Sequence, residues 1–217
     1  MAEPTARPVP NAGATQDPPA RPIPTLRAGR VYLRPAEKED VPTFVRWFAD
    51  AEVTRYLALR APFSTAMEER WFERMSESQG KRDFHFVICL VDGDTPIGTA
   101  GIRGVDWMNG NAEFGISIGE KHLWNQGYGT EALNAICDFG FGQLRLERIE
   151  LEVYAPNLRA QRSYEKAGFS HEGTLRRAMF AEGEYWDIHI MALLRDEWLA
   201  LDRPRSWDDL PSQTPTT

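Results

Sequence analysis

The segment WNQGYGTEA at residues 124–132 constrains the fold of this chain more than any other stretch. Gly127 and Gly129 stand one residue apart at the start of residues 130–139, where apolar side chains recur with helical period. A glycine turn that opens a helix leaves several backbone N–H groups without acceptors, in front of the positive end of the helix dipole. Such a turn can bind a pyrophosphate, although glycines also open helices for reasons of turn geometry alone.

A second segment, NLRAQRSYEKAGF at residues 157–169, adds the evidence for function that the glycine pair alone does not give. Together the two segments resemble the GNAT superfamily of acetyl-CoA-dependent N-acetyltransferases, in particular the RimJ/RimL-like group that acetylates protein N-terminal amines. The resemblance runs over about residues 33–198. It implies an α/β (α+β) GNAT fold, in which about four helices flank a mixed, mostly antiparallel sheet of about seven strands. It also implies acetyl-CoA as the co-substrate.

One side chain departs from the family's phosphate motif. The motif usually begins with Gln or Arg, and Trp124 holds that place here. Either Asn125 or Gln126 could supply a donor instead, and binding through main-chain amides should be weakened rather than abolished. The resemblance assigns cofactor binding to the turn, to the start of its helix and to the residue that opens the next helix. These residues are Trp124, Asn125, Gln126, Gly127, Tyr128, Gly129, Thr130 and Asn157.

Acetyl transfer from a thioester to an amine needs a neutral amine, stabilisation of the oxyanion and a proton for the departing thiolate. Tyr164 follows Asn157 by seven residues, which places both on one side of a short helix. In the family, a tyrosine at this place serves as the general acid. The alternative is a core aromatic residue beneath residues 167–169.

The general base is less constrained by the sequence. Glu113 occupies the strand before the glycine turn, where many family members carry a carboxylate that accepts the amine proton through water. Some RimL-type enzymes place a glutamate on a later strand, but Met179 stands there in this chain, which leaves Asp187 in reserve. The four histidines lack metal-ligand spacing, so no metal site is predicted.

Composition divides the chain into three parts. Residues 1–27 contain seven prolines and almost no apolar face, which predicts a flexible tail before an acetyltransferase domain at residues 28–202. Residues 203–217 are predicted to be a loose C-terminal tail. No signal peptide or membrane-spanning run is visible, and Cys89 and Cys137 are predicted to be buried, so a cytoplasmic protein is expected.

The net charge of −7 argues against nucleic acid as a partner and suits a cationic acceptor. The predicted element order is a strand, two helices, three strands, a helix, a strand, a helix and two strands. The first of these helices is predicted over residues 37–57. Trp107 and Met108 lie at a hairpin tip, where they form either a surface-packed turn or a wall beside the acceptor cleft.

Three functions remain open at this stage. The leading one is acetylation of the N-terminal α-amine of a protein or peptide. A second keeps acetyl-CoA and changes the acceptor to a small cationic amine, such as a polyamine or an aminoglycoside-type antibiotic. A third is a non-catalytic module that binds acyl-CoA. Loops such as residues 50–62 would set the acceptor, and the sequence leaves a homodimer open.

Overall fold

A computed structural model describes residues 26–58 and 64–208 of the chain. Residues 1–25 and 209–217 of the predicted tails, and residues 59–62 of the predicted acceptor loop, lie outside the described residues. The strands are β1 (Leu26–Ala28), β2 (Val31–Pro35), β3 (Phe84–Leu90), β4 (Pro96–Asp106), β5 (Asn111–Ile118), β6 (Arg148–Tyr154), β7 (Ser170–Ala181) and β8 (Glu184–Leu194). The α-helices are α1 (Val41–Phe48), α2 (Ala51–Thr54), α3 (Thr65–Ser78), α4 (Tyr128–Gly142), α5 (Leu158–Lys166) and α6 (Arg195–Ala200).

The strands form one mixed sheet of eight strands in the order β1-β2-β3-β4-β5-β6-β8-β7. The pairs from β1 to β5 are antiparallel, β5 and β6 are parallel, and β8 pairs antiparallel with both β6 and β7. This confirms the predicted α+β class and its mixed, mostly antiparallel sheet. The strand beyond the predicted seven is β1, whose buried Leu26 was assigned to the flexible tail.

The first predicted helix, over residues 37–57, was wrong as a single element. A short 3₁₀ turn, Lys38–Asp40, comes first, and the helical segment is then split into α1 and α2. The side chain of Asp50 accepts a hydrogen bond from the N–H of Glu52 at 2.9 Å and so caps a new helix. Apolar periodicity extends across such a cap, which is why the sequence pattern hid the break.

Helices cover both faces of the sheet. On one face, Leu133 and Ile136 of α4 join the larger core cluster. On the other, Phe44 and Trp47 of α1 pack in a second cluster with Val87 of β3. Both cysteines are buried, as predicted, and both are free thiols.

The parallel pair β5–β6 is short. Only Asn111–Glu113 pair with Arg148–Glu150, although each strand continues for several further residues. Beyond Glu113 the two strands therefore separate, and the edge of β5 that faces β6 is left unpaired. A cleft opens at this point in the middle of the sheet.

The C-terminal segment is folded further than predicted. Arg203 Nη2 donates to Asp138 Oδ1 of α4 at 2.7 Å, and the N–H of Ser206 donates to Asp138 Oδ2 at 2.7 Å. Trp207 packs beside Gly142. The boundary predicted at residue 203 was therefore too early, because the chain stays on the domain through residue 208.

Within the described residues, no helix has the length and apolar character needed to span a bilayer. The same residues contain no group of three or more His, Cys, Asp or Glu side chains that could hold a metal ion.

Candidate active site

The cleft between β5 and β6 has a volume of about 820 Å³. It is lined by both separating strands, by the start of α4, by α5, and by parts of α1, α2 and α3 on the opposite face of the sheet. It is large enough for a cofactor arm and a small acceptor to meet.

The turn before α4 has the conformation of an anion-binding nest. Asn125 and Gly127 both adopt left-handed backbone angles, with φ of 60° and 91°, on either side of Gln126. Alternating left-handed residues turn successive N–H groups toward one point. The N–H groups of Tyr128 and Gly129 open α4, where no preceding helical turn offers them an acceptor. The geometry fits a pyrophosphate.

Arg30, which sequence reasoning missed, holds the base of this turn. Its guanidinium donates to Glu131 Oε1 at 2.5 Å and to the carbonyl of Gln126 at 2.7 Å, and it lies 4.2 Å from the ring centroid of Tyr128. Hydrogen bonding to Glu131 raises the pKa of Arg30. The pairing neutralises an acidic side chain in the first turn of α4, where it would otherwise repel an anion.

Two of the predicted cofactor-binding residues have their side-chain N–H groups bonded to backbone carbonyls. Trp124 lines the cleft, but its Nε1 donates to the carbonyl of Ile118 at 2.8 Å. The guanidinium carbon of Arg159 lies 3.9 Å from the centroid of the Trp124 ring. The side-chain amide of Gln126 donates to the carbonyl of His122 at 2.7 Å. Arg159 thus brings a cation to the place where the family motif has its first polar residue.

Helices α4 and α5 are joined at the cleft by two hydroxyl groups. Thr130 Oγ1 lies 2.7 Å from Ser163 Oγ, and both residues line the cleft. Asn157 caps α5, since its Oδ1 accepts from the N–H of Ala160 at 3.3 Å. Its Nδ2 group forms no hydrogen bond with a described residue and is available to a ligand.

Tyr164 reaches the cleft from the adjoining turn of α5. Its ring packs against Phe114 and Phe169, with centroids 6.3 and 6.2 Å away. Its hydroxyl forms no hydrogen bond with any described residue, and burial raises the pKa of Tyr164 to about 12. The core packing proposed as the alternative role is therefore present, and it leaves the hydroxyl available as a proton donor.

Glu113 lines the cleft at the last position of β5 that pairs with β6. It forms an ion pair with Arg103, its antiparallel neighbour on β4, and its side chain is 43% exposed. The carboxylate is thus accessible to water beside the cleft.

Several residues singled out in the sequence lie away from the cleft. Asp187, the reserve base, accepts from the N–H of Arg177 at 2.8 Å in a separate shallow depression. Trp107 donates to the carbonyl of Lys81 at 3.0 Å and packs on Phe84, and Met108 is exposed. The surface-packed turn is therefore the correct interpretation of that hairpin tip.

The side of the cleft formed by α3 and β3, here called the acceptor side, contains residues that the sequence analysis did not assign to the site. Glu68 and Trp71 of α3 line it together with His85 of β3. Glu68 and Trp71 are three positions apart, which places the acid on the apolar face of the helix. That spacing was the signal that the sequence offered.

Comparison with known proteins identifies the family. The model of the acetyltransferase (GNAT) domain matches residues 30–170. This chain belongs to the GNAT acetyltransferase family. It is an acyltransferase, and acetyl-CoA is the co-substrate that the family uses.

This GNAT acetyltransferase has relatives across most of its length. It is 34% identical to the uncharacterized N-acetyltransferase p20 of Bacillus licheniformis, over 80% of this chain and 98% of that protein. It is 30% identical to the spermidine N(1)-acetyltransferase of Escherichia coli K12, over 80% of this chain and 90% of that protein. A crystal structure of spermidine N-acetyltransferase from Vibrio cholerae, in complex with CoA and spermine, shares the fold. Its TM-score is 0.72 at 24% identity, over 78% of this chain and 98% of the other.

Proposed function

We propose that this GNAT acetyltransferase moves the acetyl group of acetyl-CoA to a primary amine of a small cationic acceptor of the polyamine class. The main support is the cleft itself, which brings the nest before α4, the free hydroxyl of Tyr164 and several carboxylates into one space. Each of these serves a different requirement of the reaction.

In the proposed mechanism the chain binds acetyl-CoA through main-chain groups. The N–H groups at the start of α4 receive the pyrophosphate, and the unpaired edge of β5 beyond Glu113 offers backbone donors and acceptors to the pantetheine arm. Asn157 supplies a further donor from the start of α5. This arrangement directs the thioester toward Tyr164.

The chemical step is direct attack of the amine on the thioester carbonyl. A C–N bond forms, the C–S bond breaks, and the amine loses a proton through water to Glu113. Tyr164 donates its proton to the departing thiolate. Because burial raises the pKa of Tyr164 to about 12, the hydroxyl holds its proton until the thiolate forms.

The acceptor assignment departs from the leading expectation from sequence. The RimJ/RimL-like resemblance suggested a protein N-terminal amine, whereas the relatives described above include spermidine acetyltransferases. Four carboxylates line the cleft, from Glu52, Glu68, Glu113 and Glu152. The cations Arg103, Arg159, Arg162 and Lys166 line the same cleft. Glu68 and Glu152 form no ion pair with a described residue, and a cationic amine is the acceptor that such unpaired acids attract.

The test is the rate at which purified protein and acetyl-CoA release free CoA thiol with three acceptors. These are spermidine, an aminoglycoside and a peptide with a free N-terminal alanine. We expect the highest kcat/KM with spermidine. A preference for the peptide would instead favour the protein N-terminal assignment. Binding of acetyl-CoA without thiol release from any acceptor would favour the non-catalytic module.

A further inference from the structure

The acceptor side of the cleft contains a buried acid without a cation. Glu68 of α3 is only 2% exposed, and its Oε2 has no hydrogen-bond partner among the described residues. Burial raises the pKa of Glu68, because the charged form is poorly solvated there. Glu68 is nevertheless one of the residues that line the cleft.

The other two buried carboxylates of the described residues are each paired with an arginine. Asp40 receives both terminal nitrogens of Arg34, each at 2.7 Å. Asp138 receives Arg203 at 2.7 and 3.0 Å. A buried carboxylate is costly unless a cation and hydrogen bonds compensate it, and Glu68 has neither within the described chain.

Neighbouring acids of the cleft do not share this property. Glu52 is exposed and pairs with Lys121 at 3.0 Å, and Glu113 pairs with Arg103. The charges of these two acids are balanced before an acceptor arrives, and Glu152 of β6 is exposed to solvent. Glu68 is the buried acid of the cleft whose partner the described residues do not provide.

We propose that Glu68 binds a second cationic nitrogen of the acceptor, while another amine of the same molecule attacks the thioester. This inference rests on the proposed function and makes it more specific. The acceptor carries at least two ammonium groups, one neutralised by Glu68 beside the ring of Trp71 and one losing its proton at the reaction centre. An amine with a single nitrogen lacks the group that Glu68 binds.

Two acceptors of equal carbon length test this directly. Putrescine and n-butylamine differ by one terminal nitrogen, so the ratio of their kcat/KM values measures recognition of the second cation. We expect the parent to prefer putrescine at least tenfold, and E68Q to lose that preference while its kcat/KM for n-butylamine changes less than about twofold. E69Q is the matched control, because Glu69 is exposed on the same helical turn and should retain the parent's ratio.

Other results would overturn the inference. Equal losses with both acceptors would make Glu68 structural or place it at the attacking amine, and an unchanged ratio in E68Q would remove it from recognition. Calorimetry of putrescine against the CoA-bound protein provides a readout that does not need turnover. If the parent binds putrescine but releases no thiol with either putrescine or spermidine, the proposed function fails; if E68Q binds putrescine as tightly as the parent does, the role of Glu68 fails.

Discussion

At the scale of single residues, Tyr164 combines a packing role for its ring with a proposed catalytic role for its hydroxyl. Its ring is held by Phe114 and Phe169, and its hydroxyl lines the cleft without a partner among the described residues. A residue needed only for the core would lose little when that hydroxyl is removed. A general acid would lose most of its contribution.

Tyr164→Phe should therefore lower kcat by roughly ten- to a thousandfold with little change in acetyl-CoA affinity, because only the proton donor is lost. Steady-state rates and calorimetric titration of acetyl-CoA measure the two effects separately. Tyr185→Phe is the control, since Tyr185 is exposed on β8 and lies outside the cleft. Full activity in the Tyr164 variant would reject the assigned role.

The raised pKa of Tyr164 makes a prediction about pH. A tyrosine loses its proton above its pKa, so a general acid of pKa about 12 remains protonated through neutral and moderately alkaline solution. With both substrates saturating, kcat should show no fall up to about pH 10, where an ordinary tyrosine would already be half ionised. A decline in kcat centred between about pH 8 and 9, with the thermal midpoint unchanged, would contradict this.

Glu113 is the second residue that pH can test, because a general base and a structural ion pair with Arg103 predict different pH profiles. Glu113→Gln keeps size and hydrogen bonding but removes basicity, so the loss of activity should be greatest near neutral pH. It should shrink as rising pH deprotonates the amine unaided. Breaking the ion pair with Arg103 alone would give a loss independent of pH. A variant profile parallel to the parent's would remove Glu113 from the mechanism.

At the scale of elements, the turn into α4 connects the sequence motif to cofactor binding. Gly127 needs its left-handed backbone to form the nest, whereas Gly129 has ordinary angles and room for a side chain. The nearest atoms to an added Cβ at Gly129 belong to Ile118 and Ile116, at 3.8 and 4.0 Å. Gly129 therefore permits a test that spares the fold.

Gly129→Val should weaken acetyl-CoA binding at least tenfold, because a β-branched side chain obstructs the pyrophosphate while the helix still forms. Calorimetry measures the affinity, and circular dichroism checks the fold. Gly173→Val, at an open position of β7 with no heavy atom within 4 Å, should bind like the parent. Unchanged affinity at position 129 would place the phosphate elsewhere.

The elements that the sequence predicted correctly are those that a short stretch of residues specifies. The glycine turn and the helix that Asn157 opens both appear where predicted. The contact between Arg30 and Glu131 joins residues 101 positions apart, and no local pattern announces it. The break at Asp50 was hidden because apolar spacing continues across it. The sequence could not show that Glu68 Oε2 lacks a hydrogen-bond partner among the described residues, because that depends on which side chains surround it in the folded chain.

At the scale of the whole molecule, the described residues run from β1 to the segment that binds Asp138. Residues 1–25 are rich in proline and poor in apolar anchors, so we propose that they contribute little to the core. Removing residues 1–25 should leave the thermal midpoint and the turnover of a small acceptor unchanged. The truncation must spare Leu26, which is buried in β1. Loss of either property would show that the segment docks on the domain.

The most direct test of acetyl transfer to a polyamine is mass spectrometry of the products formed from acetyl-labelled acetyl-CoA and spermidine. The proposed function predicts spermidine that carries one labelled acetyl group, formed in equal amount to free CoA and nearly absent with Tyr164→Phe. Labelled acetyl-CoA that binds to the protein but remains intact, with spermidine unmodified, would contradict it.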